Sequence, residues 1–242
     1  QPIPLDPVYE DDDLLIINKQ PGLIVHPDEN YHFDSLIARV QHYLYDKGEY
    51  DPKAENAFAP ALVNRIDRNT GGIVIAAKTA EGLRVMNQKI RDRELKKYYL
   101  CIVHGTLPRP AGRLEGYILK DEAKKQVTVS SRPRPGAKTA VTLYETLAVR
   151  NGLSLVRCQL ITGRTHQIRA QFAAAGHPLL GDGKYGSERQ NKRYGRSYQA
   201  LYSYRLEFCF TTDAGALAPL DGQQFQVEQV DFVTEYFPGF SL

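Results

Sequence analysis

A chain of 242 residues, 42% hydrophobic and 24% charged, has ordinary globular composition and enough length to build a sizeable core, which excludes a disordered or collagen-like protein. Fifteen Tyr and nine Phe without a Trp point to strands and aromatic platforms. Lys plus Arg exceed Asp plus Glu by three (31 against 28), too little for a strong global field toward nucleic acid, so local clusters matter more. Lys89 to Lys97, Arg132 to Lys138 and Arg189 to Arg196 are mostly positive, and Asp6 to Asp13 is acidic. Taken singly, each reads as a solvated face. The longest apolar runs, such as Leu14 to Ile17 and Ile73 to Ala77, are far shorter than the ~20 residues of a membrane helix, and the N-terminus lacks a signal-peptide layout. A soluble, cytoplasmic protein with no membrane partner is therefore expected. Cys101, Cys158 and Cys209 are widely separated within apolar stretches, which suggests buried thiols rather than a disulfide framework or a zinc site.

In chain order, residues 1–13 form a Pro-containing acidic lead, expected to be a linker, and the start at Gln1 suggests that an N-terminal module precedes it. Residues 14–242 are read as one domain. Leu14 to Asn18 and Leu23 to His26 are predicted strands flanking the Pro21-Gly22 turn. Asp34 or Ser35 caps a helix with Leu36, Ile37, Val40, Tyr43 and Leu44 on one face, ended by Gly48. A polar loop leads to a segment from Ala61 to Asp67, a turn through Gly72 and a strand from Ile73 to Ala77. A helix from Thr79 to Ile90 turns Leu83, Met86 and Ile90 inward, and Lys97 to His104 is a strand apolar on both faces, as a central strand would be. From Arg113 to Ile161 repeated strands are predicted, with Asn151-Gly152 the strongest hairpin signal. A helix from Thr165 to Ala175 stops at Gly176, a basic loop follows, and Tyr202, Tyr204, Leu206, Phe208 and Phe210 share one strand face. Phe225 to Val230 is the last predicted strand. Helices among antiparallel strands, without regular strand-helix-strand alternation, indicate an α+β fold with a mainly antiparallel mixed sheet.

Two polar segments interrupt this packing logic. Asn64 to Gly72 is a polar knot between apolar runs, although a lone Asp67 in a turn is more often a structural acceptor than a functional group. Leu160 to Arg169 runs from a strand into a helix through Arg164, His166, Gln167 and Arg169, and a strand-to-helix junction presents unpaired N–H groups suited to an anion such as phosphate. Nothing around His166 has metal-ligand spacing, and no glycine-rich phosphate loop is present, so neither metal nor cofactor is expected.

These segments resemble the RluA class of pseudouridine synthases. Asn64 to Gly72 is similar to that family's His-Arg-Leu-Asp-x-x-Thr-Ser-Gly motif, and Thr162 to Arg169 to its Thr-Gly-Arg-Thr-His-Gln-Ile-Arg motif. Gly176-His177-Pro178 through Gly181-Asp182 and Tyr185-Gly186 resembles the continuation, Tyr9 to Pro27 the opening segment, and Lys97-x-Tyr99 the Lys-x-Tyr strand. Several motifs in order are far more specific than any one. Asn64 replaces the usual His, Ile66 the usual Leu and Gly71 the usual Ser, departures that bear on loop detail and substrate choice. Leu201-Tyr202-Ser203 stands where relatives tend to have Leu-His-Ala.

The resemblance implies a pseudouridine synthase fold with a central RNA-binding cleft; relatives modify both ribosomal and transfer RNA, of which ribosomal RNA is the expected substrate here, and a monomer is expected. It implies an isomerase that breaks the N1–C1′ bond of a uridine, turns the uracil and rejoins it through C5. Asp67 is then the carboxylate that stabilises or bonds the ribose, by analogy with glycosidases. Arg164 is the fixed cation that keeps it ionised in a dry cleft. Tyr99 stacks on the uracil and can assist loss of the C5 proton, and Ile168 is an apolar wall. Arg65 fills the space of the flipped base. Thr70 belongs to the Asp loop, and His166, Gln167 and Arg169 contact uracil edges, that loop or phosphates. A catalytically silent RNA-binding module and an N-ribosyl hydrolase are the alternatives.

Overall fold

The computed structural model describes residues 4–30 and 34–242, so residues 1–3 of the acidic lead lie outside it. The chain forms two compact units, one from Gln1–Lys96 with Arg205–Val227 and the other from Lys97–Tyr204 with Glu228–Leu242.

In the first unit, β1 (Pro7–Glu10), β2 (Leu14–Lys19) and β4 (Gly71–Ala77) are adjacent antiparallel strands, and the short β3 (Ala61–Leu62) also pairs with β4. The end of the lead, expected as a linker, is therefore an edge strand. All seven residues of β4 are buried, as befits a run of Gly, Ile, Val and Ala with both faces covered. Helix α1 (Leu36–Asp46) begins where Ser35 accepts a hydrogen bond from Ala38 N, and packs Leu36, Val40 and Leu44 into a core with Leu15, Ile17 and Val74. Leu23 to His26 is not a strand. Its carbonyls at Ile24 and Val25 accept from Leu36 N and Ile37 N, at 2.8 and 3.1 Å, so the segment caps the helix while Leu23 and Val25 still enter the core.

Helix α2 (Ala80–Arg91) is capped by Thr79 but turns Val85, Met86 and Lys89 inward, leaving Leu83 and Ile90 half-buried. Lys89 draws that face in: its Nζ bonds Thr212 Oγ1 at 2.8 Å and the Asp213 carbonyl at 2.9 Å, and pairs with buried Glu94. A 3-10 helix at Gly215–Leu220 precedes β11 (Gln224–Gln226), which is shorter than the predicted strand and pairs with Arg205 to Glu207 of β10 (Leu201–Phe208).

In the second unit, β5 (Leu95–His104) from Lys97 onward, β9 (Leu153–Leu160), β8 (Lys138–Arg150), β6 (Ala111–Asp121) and β7 (Gln126–Ser130) are neighbours in that order, all antiparallel. The β8–β9 hairpin turns on Asn151 and Gly152, with φ of 54° and 76°, the positive pair such a two-residue turn requires. Helix α3 spans Gln167–Ala174, two residues later than predicted, because His166 takes a left-handed φ of 53° and cannot belong to the helix. The basic stretch expected as a loop contains α4 (Glu188–Tyr194), capped by Ser187 and ended by Gly195 in the left-handed region. The last helix, α5 (Asp231–Tyr236), was not anticipated. Tyr99, Cys101, Val103, Ile168, Phe172 and Leu179 form the core between β5 and α3. Cys101 and Cys158 are buried free thiols, and Cys209 is half-buried. No helix among the described residues is long and apolar enough to cross a membrane.

Gly181 adopts φ of +84°, its N–H donates to Asn191 Oδ1 at 2.8 Å, and a Cβ there would lie 1.9 Å from the Tyr198 carbonyl oxygen. Gly181→Ala must therefore displace backbone as well as strain φ. We expect a loss of at least ~3 kcal/mol of stability, read as a lower urea midpoint, whereas Gly183→Ala, with open space around its Cα, is expected to be near neutral.

Candidate active site

In the first unit, the Asp67 turn is built where β3 ends. Val63 N donates to the Ile75 carbonyl at 2.8 Å, and the Asn64 side chain then takes over the ladder: its Oδ1 accepts from Ile75 N at 2.8 Å and its Nδ2 donates to the Ile73 carbonyl at 3.3 Å. The backbone is thereby released from the sheet without leaving β4 unsatisfied. Arg65 becomes exposed, Ile66 enters the core, Asp67 is half-buried, and Thr70, buried, closes the turn by donating its N–H to the Asp67 carbonyl at 3.0 Å.

The base of this turn is Lys19, only 1% exposed at the end of β2. Its Nζ donates to the carbonyls of Leu23 (2.7 Å), Arg68 (2.9 Å) and Gln20 (3.0 Å). Gly22 and Arg68 are joined as well, through Gly22 N to the Arg68 carbonyl at 2.7 Å and Arg68 Nε to the Gly22 carbonyl at 3.1 Å. The Pro21-Gly22 turn and the Asp67 turn are thus one body. Burial pushes the Lys19 ammonium down to about 7, and the Asp67 carboxylate pulls in the opposite direction. Sequence reasoning assigned Lys19 no role. The available signal was a lysine closing an otherwise apolar central strand, a position where a cation needs a buried partner. His26 is held below its ordinary range by burial and by the Arg65 charge, so its imidazole is neutral near pH 7.

In the second unit, the turn carrying Arg164 is hung on β8. Beyond Leu160 the backbone keeps only the Val141 carbonyl, which accepts from Ile161 N at 3.1 Å and Thr162 N at 3.4 Å, and side chains then supply the further contacts to β8. Thr162 Oγ1 accepts from Val141 N at 2.9 Å and donates to Gln167 Oε1 at 2.7 Å. The same Oε1 accepts from Arg164 N at 3.0 Å, while Gln167 Nε2 donates to the Val141 carbonyl (2.9 Å) and Thr142 Oγ1 (2.8 Å). One turn on, Gln171 continues the row, accepting from Thr142 Oγ1 at 2.7 Å. Arg164 Nε itself donates to the Thr139 carbonyl at 2.7 Å, so both backbone and guanidinium of Arg164 are referred to one strand.

The predicted donors at this junction differ in placement. Gln167 and Arg169 are buried, and their amide and guanidinium bonds are made within the protein. Arg169 grips Asp182 through Nε (2.7 Å) and Nη2 (3.0 Å), and Asp182 also accepts from Lys184 N and Tyr185 N. Burial alone would raise that carboxyl, but the guanidinium and the two N–H groups hold it below the usual carboxylate range. His166 Nδ1 lies 2.6 Å from the Tyr185 hydroxyl. Tyr99 and Ile168 share one core cluster, with Tyr99 8% exposed. Asp67, Arg65 and Thr70 thus belong to the first unit, and Tyr99, Arg164, His166, Gln167, Ile168 and Arg169 to the second. Among the described residues no group of three His, Cys, Asp or Glu could hold a metal ion.

Residues 13–174 match the family model described as RNA pseudouridylate synthase. The chain is 31% identical over 236 residues to ribosomal large subunit pseudouridine synthase D of Zymomonas mobilis, covering 97% of this chain and 70% of that protein. It is 32% identical over 208 residues to the uncharacterized RNA pseudouridine synthase YlyB of Bacillus subtilis, covering 86% of this chain and 65% of the relative. It therefore spans about two thirds of the length of such relatives. The solved structure of human RNA pseudouridylate synthase domain containing 4 has the same fold, with a TM-score of 0.71, 22% identity, and 94% and 89% of the two chains covered.

Lys19→Met would remove the ammonium bonds to three carbonyls, leaving the Leu23 carbonyl without its Lys19 partner and the Arg68 and Gln20 carbonyls with only their Gly22 and Leu23 N–H donors, around a buried apolar side chain. It is expected to cost roughly 2–5 kcal/mol near pH 6, measured by urea denaturation. Below pH 7 Lys19 is protonated in both folded and unfolded chains, so the gap between wild type and variant is flat there. Between about 7 and the unfolded value of 10.5 the unfolded chain binds more protons, so wild-type stability rises relative to the variant as pH increases. A gap that narrows with pH would contradict this placement of the ammonium.

Proposed function

The chain belongs to the RNA pseudouridylate synthase family, and we propose that it isomerises specific uridines to pseudouridine in structured RNA, with Asp67 as the catalytic carboxylate. The observation that carries this reading is the Asp67 turn: a half-buried acid in the family's Asp motif, on a loop held from beneath by Lys19 and Arg68. A reacting carboxylate must be held in a fixed geometry against a sugar, and a loop tied at several points supplies that.

In the proposed reaction the N1–C1′ bond of the target uridine breaks, with its electron pair passing to the uracil. Asp67 meets the positive charge that develops on the ribose, either by bonding to C1′ or by taking a proton from the sugar to give a glycal. The uracil turns and C5 bonds to C1′, as the Asp67–C1′ bond breaks in the first case or as Asp67 returns its proton to the sugar in the second; the C5 proton then leaves and N1 takes up a proton. Arg164 serves as the fixed cation for the carboxylate, its guanidinium charged at every working pH and oriented by the Thr139 carbonyl. Tyr99 faces the uracil, backed by Ile168 in the same cluster. Exposed Arg65 occupies the space left by the flipped base. Ribosomal RNA is favoured as substrate over transfer RNA because a relative covering nearly the whole chain is named for the large ribosomal subunit.

Incubation with ribosomal RNA carrying C5-tritiated uridine is the direct test. Tritium release with pseudouridine formed is expected. Free uracil would mean an N-ribosyl hydrolase, and neither product a silent binding module. Asp67→Asn is expected to keep the fold and RNA affinity while lowering turnover by at least ~1,000-fold, and substantial residual activity would remove Asp67 from its role. Arg65→Ala is expected to slow the single-turnover rate at saturating RNA more than it weakens binding. RNA affinity itself should fall as salt is added, through lost phosphate contacts.

A further inference from the structure

Among the described residues four lysines have a withdrawn ammonium, and three are fully provided for. Lys19 has three carbonyls, Lys78 has Glu10, Glu49 and the Asp11 carbonyl, and Lys89 has Glu94, Thr212 and Asp213. The fourth is Lys97, half-buried on β5. Among the described residues no hydrogen bond or ion pair joins its ammonium to the protein, and burial holds it below the ordinary lysine range. Leaving a desolvated cation unpaired opposes folding, and such groups concentrate at sites where a ligand completes them.

Its position says which ligand. Lys97 precedes Tyr99 by two residues, so strand alternation puts both on the face of β5 that continues through Cys101 and Val103. In register it pairs with Leu160, the last residue of β9 before the turn that carries Arg164. Its Nζ lies beside Gly163: a Cβ built on that glycine would stand 3.3 Å from the nitrogen, so the residue before Arg164 leaves room for the ammonium.

We propose that Lys97 is a catalytic residue that donates a hydrogen bond from its ammonium to a carbonyl oxygen of the detached uracil. The inference rests on the proposed isomerisation and on Tyr99 facing the base. When the N1–C1′ bond breaks, the electron pair leaves with the uracil and its charge spreads over N1 and the two carbonyl oxygens. It is spent when the ring supplies a pair to form the C5–C1′ bond, returns to the ring when the C5 proton departs, and ends when N1 takes up a proton. A cation fixed beside the ring stabilises that charge through rotation and rejoining, and neither gains nor loses a proton in doing so. It also supplies the half of the electrostatics that Asp67 does not: the carboxylate answers the positive sugar, the ammonium the negative base.

The test compares single-turnover rates on RNA bearing uridine or 5-fluorouridine at the target position, using the full chain, with the rate read as loss of the N1-linked nucleoside, since the fluorinated base has no C5 proton to release. Fluorine withdraws charge from the ring, so the fluorinated base needs less help to leave. For Lys97→Met we expect a rate about 100-fold below wild type on uridine, RNA affinity within twofold, and a defect at least five times smaller on 5-fluorouridine. Lys97→Arg should recover part of the rate, and guards against a Met variant that fails to fold. Equal defects on the two substrates, in whichever variant folds, would overturn the proposal. So would weakened binding with an unchanged saturating rate, which would make Lys97 a phosphate contact instead. Wild-type protein that forms no pseudouridine would overturn the underlying isomerase reading and this proposal with it; an active wild type with an unimpaired Lys97→Met would overturn the proposal alone.

Discussion

The first unit depends on how a reactive-looking loop leaves a buried strand without exposing unsatisfied backbone. An ammonium that is almost wholly buried answers this at Lys19, collecting the carbonyls of Gln20, Leu23 and Arg68 at one point. Those three oxygens come from two stretches far apart in sequence, so one side chain converts two flexible turns into a single platform. A buried charge of this kind is tolerated only when its hydrogen-bonding directions are filled, and filling them is what orders the loop.

The second unit meets the same difficulty with a different group. Where β9 departs from β8, the amides of Gln167 and Gln171 and the hydroxyls of Thr142 and Thr162 pair with strand groups that would otherwise face a missing neighbour. In the first unit Asn64 does likewise for β4, with one amide oxygen and one amide nitrogen meeting Ile75 and Ile73. At Asn64 one primary amide imitates the backbone of a strand, since it presents a donor and an acceptor at similar separation, whereas on β8 the two roles are divided, the Thr162 hydroxyl accepting from Val141 N and the Gln167 amide donating to the Val141 carbonyl. That explains how Asn stands where relatives of the RluA class carry His: the geometric demand here is for a two-sided ladder group, and Asn meets it. It also changes the meaning of Gln167 and Arg169. Their polar atoms made them look like RNA contacts, but one is engaged with β8 and Arg164, and the other with Asp182. Both side chains hold other residues of the second unit in place.

In the first unit Arg65 is exposed and Asp67 half-buried, and in the second Arg164 and His166 are half-buried. In each unit the buried polar groups give rigidity at the cost of being unable to touch a ligand, and a few groups stay partly exposed.

Much of this protein was readable before any coordinates. The apolar runs at Leu14 to Ile17 and Ile73 to Ala77 and the Asn151-Gly152 hairpin act over a few residues and appear as read, and of the two residues offered as the cap of α1, Asp34 and Ser35, it is Ser35 that accepts from the helix. Ordered motifs likewise identified the family, because they record which side chains must occur and not where they point. What the sequence did not determine depends on partners distant along the chain. Leu23 to His26 has the composition of a strand but caps α1, the inward face of α2 follows a lysine held by Thr212 and Asp213, and α3 starts late because His166 adopts a left-handed turn. Whether a polar residue near the site faces substrate or braces the loop is decided by which hydrogen-bonding groups folding brings beside it. Lys19, Gln167 and Lys97 are all ordinary polar letters in the chain, and only tertiary packing surrounds the first, saturates the second and leaves the third in want of a ligand.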